Sequence, residues 1–260
     1  MRRAPDHNGT PVLDTYIHAL NWSAALDQIS AWGRARESRY VCICNVHSVV
    51  LGSRDAAFQQ VLNQADLSTP DGAPVAWMMR RLGHPGQKRI TGPDLMWRYC
   101  EQAQGSDQRI FLYGGSVQTL SALRSRLSEL YPGLQISGAI SPPFRPLSES
   151  EKDDVVAQIN ESNTNVVFVG LGCPKQEWWM AEHRGRINAV MIGVGAAFDF
   201  HAGVIRRAPL WMQQTGLEWL HRLGAEPRRL WRRYLVTNSL FVLAAVRQLL
   251  RGSRPVRKNE

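Results

Sequence analysis

The sequence predicts an α/β fold with a parallel, doubly wound sheet and helices on both faces. Short apolar runs rich in β-branched residues alternate with helical stretches from Tyr40 onward, and two of these runs end directly in glycine. The composition changes after about Ala208, where Trp, Leu and Arg become frequent. We therefore divide the chain into a core over residues 1–207 and a helical, Arg/Trp-rich C-terminal appendage with a basic tail over residues 208–260.

The elements of the core follow from this pattern in chain order. The run YVCICNVHSVVL, from Tyr40 to Leu51, predicts a buried strand, and SRDAAFQQVLNQA after it predicts a helix. A further helix is expected over Val117–Leu130. The remaining strands are predicted at Arg109–Tyr113, Leu134–Ala139, Val166–Leu171 and Val190–Val194.

Bulk properties restrict the class of protein without choosing the function. With 260 residues and 44% hydrophobic content the chain can bury a full core, which argues against disorder. The formal charge of +9 fits an anionic partner: nucleic acid, a phosphorylated substrate or an anionic lipid surface. The four cysteines lack CxxC spacing and predict reduced thiols in a cytosol, and the N-terminus has no apolar run typical of a signal peptide.

The appendage contains an apolar stretch from Tyr234 to Leu250. It is shorter than a membrane-spanning helix and is interrupted by Asn238 and Arg247. An amphipathic helix lying at a membrane surface is one interpretation. A helix docked on the core with solvated arginines is the other.

The two glycine-terminated strands mark a candidate ligand edge. Gly114 and Gly115 lie in LYGGS, and the second stretch is VGLGCPKQE. In parallel sheets ligands bind beyond the carboxyl ends of the strands, where glycine lets a diphosphate or a sugar approach the backbone. Tight turns needed only for packing explain the same residues.

Two charged residues are candidates for a direct role in a reaction, as a general base and as a diphosphate contact. Asp71, in STPDGAPVAW, is expected in a turn at the ligand edge and suits a general base, although Asp-Gly is also a common turn or helix cap. Arg89 precedes a predicted helix start at Thr91–Asp94, where its guanidinium would clamp a diphosphate. A surface ion pair is the alternative for Arg89.

Four polar residues near strand ends are candidates for substrate binding. Asn45 and His47 would share one face of the first strand, although His47 also fits a core histidine. Gln176, in the first turn of the helix that begins near Pro174, would bind sugar hydroxyls or act as a cap. Asp199 would orient a substrate or pair with Arg206 or Arg207.

Taken in this order, the motifs resemble the WecG/TagA/CpsF glycosyltransferases, family 26, from about Tyr40 to Leu235. The resemblance depends on several separate blocks. They are PDGAPVAW with RITGPDLM, FLYGGS with YPGLQISG, VGLGCPKQEWW, IGVGAAFDFHAG and RAPLWMQQTGLEWLHRLGAEPRRLWRRYL.

The resemblance implies a Rossmann-like core and an inverting transfer from a UDP-sugar donor to a polyprenyl-diphosphate-linked sugar acceptor in bacterial surface polysaccharide synthesis. It implies a cytoplasmic enzyme, peripheral on the inner face of the plasma membrane. No DxD motif is present, so we expect a metal-independent reaction without a cofactor. The family's base falls on Asp71, its strand-end asparagine on Asn45, its arginine on Arg89 and its glutamine on Gln176.

The family's appendage arginines, which are thought to reach the nucleotide diphosphate at a membrane, fall on Arg222, Arg229 and Arg232. One departure from the family pattern occurs at the first strand end, where members often carry Thr-x-Asn and this chain has Ile43-Cys44-Asn45. His47 would replace the lost hydroxyl contact. The sugar, the acceptor, the linkage and any assembly of identical chains are left open.

Two other functions are alternatives for this sequence. A non-catalytic basic protein that binds membrane or nucleic acid fits the charge, but polar residues gather at strand ends instead of forming a basic stripe, so we expect no nucleic-acid partner. A nicotinamide-dependent enzyme requires a strand–GxGxxG–helix unit, which the sequence lacks.

Overall fold

The structure is a computed structural model, and it describes residues 8–251 with the exception of the Arg229 side chain. Contacts divide the described chain into two compact units. The first contains residues 8–21, 44–90 and 207–251, and the second contains residues 22–43 and 91–206. Neither unit is a continuous piece of chain, so long-range packing defines both.

Within the described residues the chain forms eight strands and twelve helices. The strands are β1 (Gly9–Val12), β2 (Thr15–His18), β3 (Arg39–Cys44), β4 (Leu67–Pro70), β5 (Arg109–Gly114), β6 (Gln135–Ile140), β7 (Val166–Gly170) and β8 (Val190–Gly193). The helices are α1 (Trp22–Arg34), α2 (Val46–Gly52), α3 (Ala56–Asn63), α4 (Gly72–Arg81), α5 (Gly92–Ala103), α6 (Val117–Leu130), α7 (Glu149–Glu161), α8 (Lys175–His183), α9 (Ala197–His201), α10 (Leu210–Thr215), α11 (Glu218–Ala225) and α12 (Pro227–Arg251).

The predicted α/β fold with a parallel sheet is confirmed. Six strands form one sheet, and the five in the second unit run in the order β3-β8-β7-β5-β6 with parallel pairing. Val166 to Val169 of β7 are fully buried, as expected for a strand covered on both faces. The strands predicted at 109–113, 134–139, 166–171 and 190–194 each match an observed strand to within one residue at both ends.

Helices of the second unit begin where the sequence supplies caps. The Ser116 hydroxyl accepts a hydrogen bond from the Thr119 N–H at 3.0 Å and starts α6, the helix predicted over the same residues. Thr91 caps α5 through the Asp94 N–H, as the predicted start at Thr91–Asp94 requires. Local capping signals therefore fix the starts of α5 and α6.

The predicted strand from Tyr40 to Leu51 is wrong in its second half. Strand β3 ends at Cys44, and α2 begins at Val46. Asn45 accepts hydrogen bonds from the N–H groups of His47 and Ser48, and the Ser48 hydroxyl accepts one from the Asn45 N–H. This capping box stabilises a helix start against the β-branched residues that follow. Asn45 and His47 consequently do not share a strand face.

Strand β4 was missed by sequence analysis. It consists of Leu67, Ser68, Thr69 and Pro70, all buried, and it is too short and too polar to give a clear period. The sequence predicts that the helix after Leu51 leads into Asp71. Instead β4 lies between α3 and Asp71, so Asp71 follows a strand directly.

The C-terminal segment packs within the first unit and is not a unit of its own. Helix α12 buries Leu230, Thr237, Phe241 and Ala245 and packs on α2. The Gln248 amide accepts a hydrogen bond from the Leu13 N–H and donates one to the Pro11 carbonyl. Among the described residues no helix is long and apolar enough to cross a membrane.

At Gly114 the end of β5 approaches the end of β7 so closely that a side chain would not fit. Its φ is +118°, and a Cβ atom would lie 2.6 Å from the Gly170 carbonyl oxygen. Gly83 also has a positive φ, +106°, but a Cβ there would meet nothing within 4 Å. We expect Gly114→Ala to cost about 3 kcal/mol or more, because strain and a backbone clash add, and Gly83→Ala to cost about 1 kcal/mol. Urea unfolding of both variants measures the difference, and equal costs would contradict the close approach.

Candidate active site

Asp71 lies at the junction of β4 and α4, in the first unit. Its N–H donates to the Cys44 carbonyl at 2.9 Å, which ties the end of β4 to the end of β3. Although Asp71 occupies the N-cap position of α4, its side chain makes no capping hydrogen bond. The carboxylate is therefore not used to start the helix and is available for chemistry.

Asn45 connects the helix cap to this carboxylate. Its Oδ1 accepts from the N–H groups of His47 and Ser48 at 3.0 and 3.2 Å, and its side chain also hydrogen-bonds to Asp71. Because a carboxylate only accepts, the Asn45 Nδ2 group must be the donor in the second contact. The cap holds the Asn45 side chain in place, and its hydrogen bond favours the charged form of Asp71 and so lowers the pKa of that carboxyl group.

An ion cluster from distant parts of the chain lies beside Asp71. Glu218, the first residue of α11, accepts from Arg89 Nη1 at 3.2 Å and from Arg207 Nε at 3.4 Å. The three side chains are 21–23% exposed. Arg222 of the same helix also acts on Asp71 electrostatically. Arg89 and Arg222 are predicted from the sequence. Glu218 is not, although it lies in the closing motif block RAPLWMQQTGLEWLHRLGAEPRRLWRRYL.

The pKa of Asp71 is raised from 3.8 to about 6. Burial is the largest cause, and the negative charge of Glu218 adds to it. The positive charges of Arg89 and Arg222 and the Asn45 hydrogen bond act in the opposite direction. A carboxyl group that titrates near neutral pH can accept a proton from a substrate hydroxyl more readily than an ordinary aspartate.

His47 lies in the first turn of α2. Burial, with the positive charge of Arg233 as a second cause, lowers the pKa of its ring to about 4, so the imidazole is neutral at pH 7. In the described part of the chain its Nδ1 atom has no hydrogen-bond partner. A substrate contact by His47 stays a prediction.

Gly114 and Gly115 lie at the end of β5 in the second unit. Gly115 has a φ of +70°, and its carbonyl accepts a hydrogen bond from the Ser141 hydroxyl at 2.7 Å. Both glycines precede the capped start of α6. The predicted binding of a substrate by Gly114 and Gly115 stays a prediction.

Gln176 also belongs to the second unit, where it is 4% exposed in the first turn of α8. Its Oε1 accepts from the Gly195 N–H at 3.0 Å, and its Nε2 donates to Oε1 of the buried Glu177 at 2.9 Å. The amide therefore joins α8 to the turn after β8. A contact with sugar hydroxyls, which stays a prediction, would use the second N–H or the second lone pair of Oε1.

Asp199 lies in the short helix α9 and is half-buried, and its main-chain carbonyl accepts from the Ile205 N–H. Arg207, one of its two expected partners, forms an ion pair with Glu218. The predicted role of Asp199 with a substrate stays a prediction.

The appendage arginines differ in their placement. Arg222 is close enough to lower the pKa of Asp71, whereas Arg232 is exposed on α12. The side chain of Arg229 lies outside the described residues. In residues 8–251 no group of three or more His, Cys, Asp or Glu side chains is arranged to hold a metal ion. Metal independence stays a prediction.

These features define a class of protein before any comparison. A carboxylate with a raised pKa stands at the end of a sheet strand, beside arginines that suit a phosphorylated substrate, as in group-transfer enzymes. The family model "Glycosyl transferase WecG/TagA/CpsF family" matches residues 10–255, and the chain belongs to this family of glycosyltransferases.

Relatives with assigned activities support the same class. The chain is 34% identical over 183 residues, 70% of its length and 69% of the relative's, to the N-acetylglucosaminyldiphosphoundecaprenol N-acetyl-beta-D-mannosaminyltransferase of Bacillus subtilis strain 168. It is 33% identical over 179 residues to the protein of the same name from Bacillus spizizenii, covering 68% and 67% of the two chains. A Staphylococcus aureus protein of that name is 26% identical over 216 residues, 83% of each chain.

The raised pKa of Asp71 predicts that its charge costs stability. A group that binds protons more tightly in the folded state destabilises the fold above its folded-state pKa, and this cost disappears as the pH falls below the unfolded value near 4. We expect Asp71→Asn to raise the free energy of unfolding by roughly 1–2 kcal/mol at pH 7.5, with the gain shrinking toward pH 4.5. No capping hydrogen bond is lost. Thermal melts at both pH values measure this, and a loss of stability at pH 7.5 would contradict it.

Proposed function

We propose that this glycosyltransferase moves a sugar from a UDP-sugar donor, with inversion, onto a polyprenyl-diphosphate-linked sugar in the synthesis of a bacterial surface polysaccharide. The observation that carries the proposal is the Asp71 carboxyl group, with a pKa near 6, fixed by Asn45 and flanked by arginines. The relatives are named as enzymes that transfer N-acetylmannosamine to a diphosphoundecaprenol-linked N-acetylglucosamine. Their names support the lipid-linked acceptor and make that sugar the first donor to test.

The proposed mechanism is one in-line displacement. Asp71 takes the proton from an acceptor hydroxyl while the hydroxyl oxygen forms a bond to the anomeric carbon. The bond between that carbon and the diphosphate breaks, and UDP leaves with the electron pair. Arg89, Arg207 and Arg222, which surround Asp71 and Glu218, would stabilise the charge that develops on the diphosphate. This mechanism needs no metal ion.

The C-terminal helices support a role at a membrane surface. They expose large apolar side chains next to many arginines; these include Leu210 (72%), Trp211 (59%), Trp231 (55%) and Leu235 (63%). Such aromatic and basic surfaces bind the interface of an anionic bilayer, where a polyprenyl acceptor is anchored. We therefore place the enzyme on the inner face of the plasma membrane as a peripheral protein.

A donor screen tests the reaction. Purified protein is incubated with a panel of UDP-sugars and a synthetic lipid-diphosphate N-acetylglucosamine, and released UDP and product mass are recorded with and without EDTA. We expect one donor to give UDP and a matching mass gain, with EDTA having no effect. Asp71→Asn should lower turnover at least about 100-fold, because the base is lost, and leave UDP binding near the wild-type value. UDP binding without any transfer by folded wild-type protein would contradict the proposed acceptor, and unchanged turnover in the variant would refute the base.

The pH dependence of kcat/KM tests the same assignment independently. Because only the ionised carboxylate accepts a proton, activity should fall tenfold per pH unit below a pKa of about 6. A matched substitution at an exposed carboxylate, Glu129→Gln, should leave this acidic limb in place. A rate that stays constant from pH 7 down to pH 5 would exclude Asp71 as the base.

A further inference from the structure

Glu218 binds two arginines at once. Its Oε2 accepts from Arg89 at 3.2 Å and its Oε1 from Arg207 at 3.4 Å, so each carboxylate oxygen contacts a different guanidinium. An oxyanion that bridges two arginines through separate oxygens is also the arrangement in which arginines bind a phosphate group. The carboxylate thus takes the place of an anionic ligand at these two residues.

The contacts of Glu218 with Arg89 and Arg207 are largely buried and are not surface ion pairs. The three side chains are each more than three-quarters buried, which limits screening by water. Glu218 also lies near enough to Asp71 for its charge to disfavour the ionised form of that carboxyl group. The resting arrangement therefore brings two carboxylates close together, a cost that the arginines offset.

Helix α11, which carries Glu218, is weakly anchored. None of its eight residues is fully buried, and its N-cap, Leu217, provides no side-chain hydrogen bond. Gly216, with a φ of +79°, separates it from α10. Elements with few buried apolar contacts open at low free-energy cost. The start of α11 is held by the two ion pairs of Glu218 and by the edge-to-face contact of Trp219 with Tyr234.

We propose that Glu218 is an internal anion that occupies Arg89 and Arg207 until the diphosphate of the nucleotide-sugar donor displaces it. The inference rests on the proposed function, since it assumes a nucleoside-diphosphate donor at these arginines. Displacement would transfer both guanidinium groups from the carboxylate to the diphosphate and release the start of α11. A structural ion pair alone would make no such exchange.

Titration of the full-length protein with UDP, followed by calorimetry, tests the exchange. We expect Glu218→Gln to bind UDP about fivefold more tightly than wild type, because a competing partly buried ion pair is removed. Glu129→Gln removes an exposed negative charge in α6 and should bind UDP as wild type does. Uridine, which has no diphosphate, should bind Glu218→Gln and wild type equally.

Glu218→Asp distinguishes contact from a long-range charge effect. It keeps the charge but shortens the side chain by one methylene, so it should loosen the bridge and also tighten UDP binding, though less than Glu218→Gln does. A contrary result is wild-type UDP affinity in Glu218→Asp together with tighter binding by Glu218→Gln. That result would mean that only the negative charge at position 218 weakens UDP binding, and that the bridge to the two arginines does not compete with the diphosphate.

The remaining outcomes separate the two proposals. UDP affinity that is unchanged or weaker in folded Glu218→Gln, with melting curves confirming the fold, would overturn the displacement while leaving the transferase proposal intact. Uridine affinity that rises together with UDP affinity would assign Glu218 to general loosening of α11 and also overturn it. Failure of every variant and wild type to bind UDP would remove the UDP-sugar donor itself, and with it both proposals.

Discussion

The site depends on one side chain with two hydrogen-bonding functions. Asn45 ends β3, and its carbonyl oxygen starts α2 by accepting two main-chain hydrogen bonds. Its amide donates to Asp71, whose own N–H bonds to the Cys44 carbonyl. The strand ends and the helix start are thereby fixed against each other. The Asp71 carboxylate does not serve as a cap, which leaves it available for the proposed role as a base.

Opposing electrostatic effects set the proton affinity of Asp71. Burial and Glu218 raise its pKa, whereas Arg89 and Arg222 lower it. With the arginines alone, the carboxyl would remain ionised far below neutral pH and would be a weak base. With burial alone, no positive charge would face a departing diphosphate. The arrangement places a carboxyl group with a pKa near 6 beside cationic groups, as the proposed mechanism of glycosyl transfer requires.

The C-terminal segment agrees with the docked-helix interpretation of its sequence, and its exposed apolar residues are the basis of the proposed membrane contact. Helix α12 docks through a stripe at Leu230, Thr237, Phe241 and Ala245, and it leaves Leu235, Val242 and Leu243 exposed. A helix with apolar residues on more than one side satisfies an internal contact and still presents an apolar surface. Packing of this helix on α2, the helix capped by Asn45, links the membrane-binding candidate to the same unit as Asp71.

The sequence by itself determined the parallel sheet, the helix starts near Thr91, Val117 and Pro174, the family and Asp71 as the candidate base. These follow from short-range periodicity, capping residues and contiguous motifs. Only the tertiary structure decided that the first strand stops at Cys44, that Gln176 bonds inward to Gly195 and Glu177, and that Glu218 joins Arg89. Glu218 and Arg89 are 129 positions apart. An ion pair over that distance leaves no local pattern, because folding alone brings its two charges together.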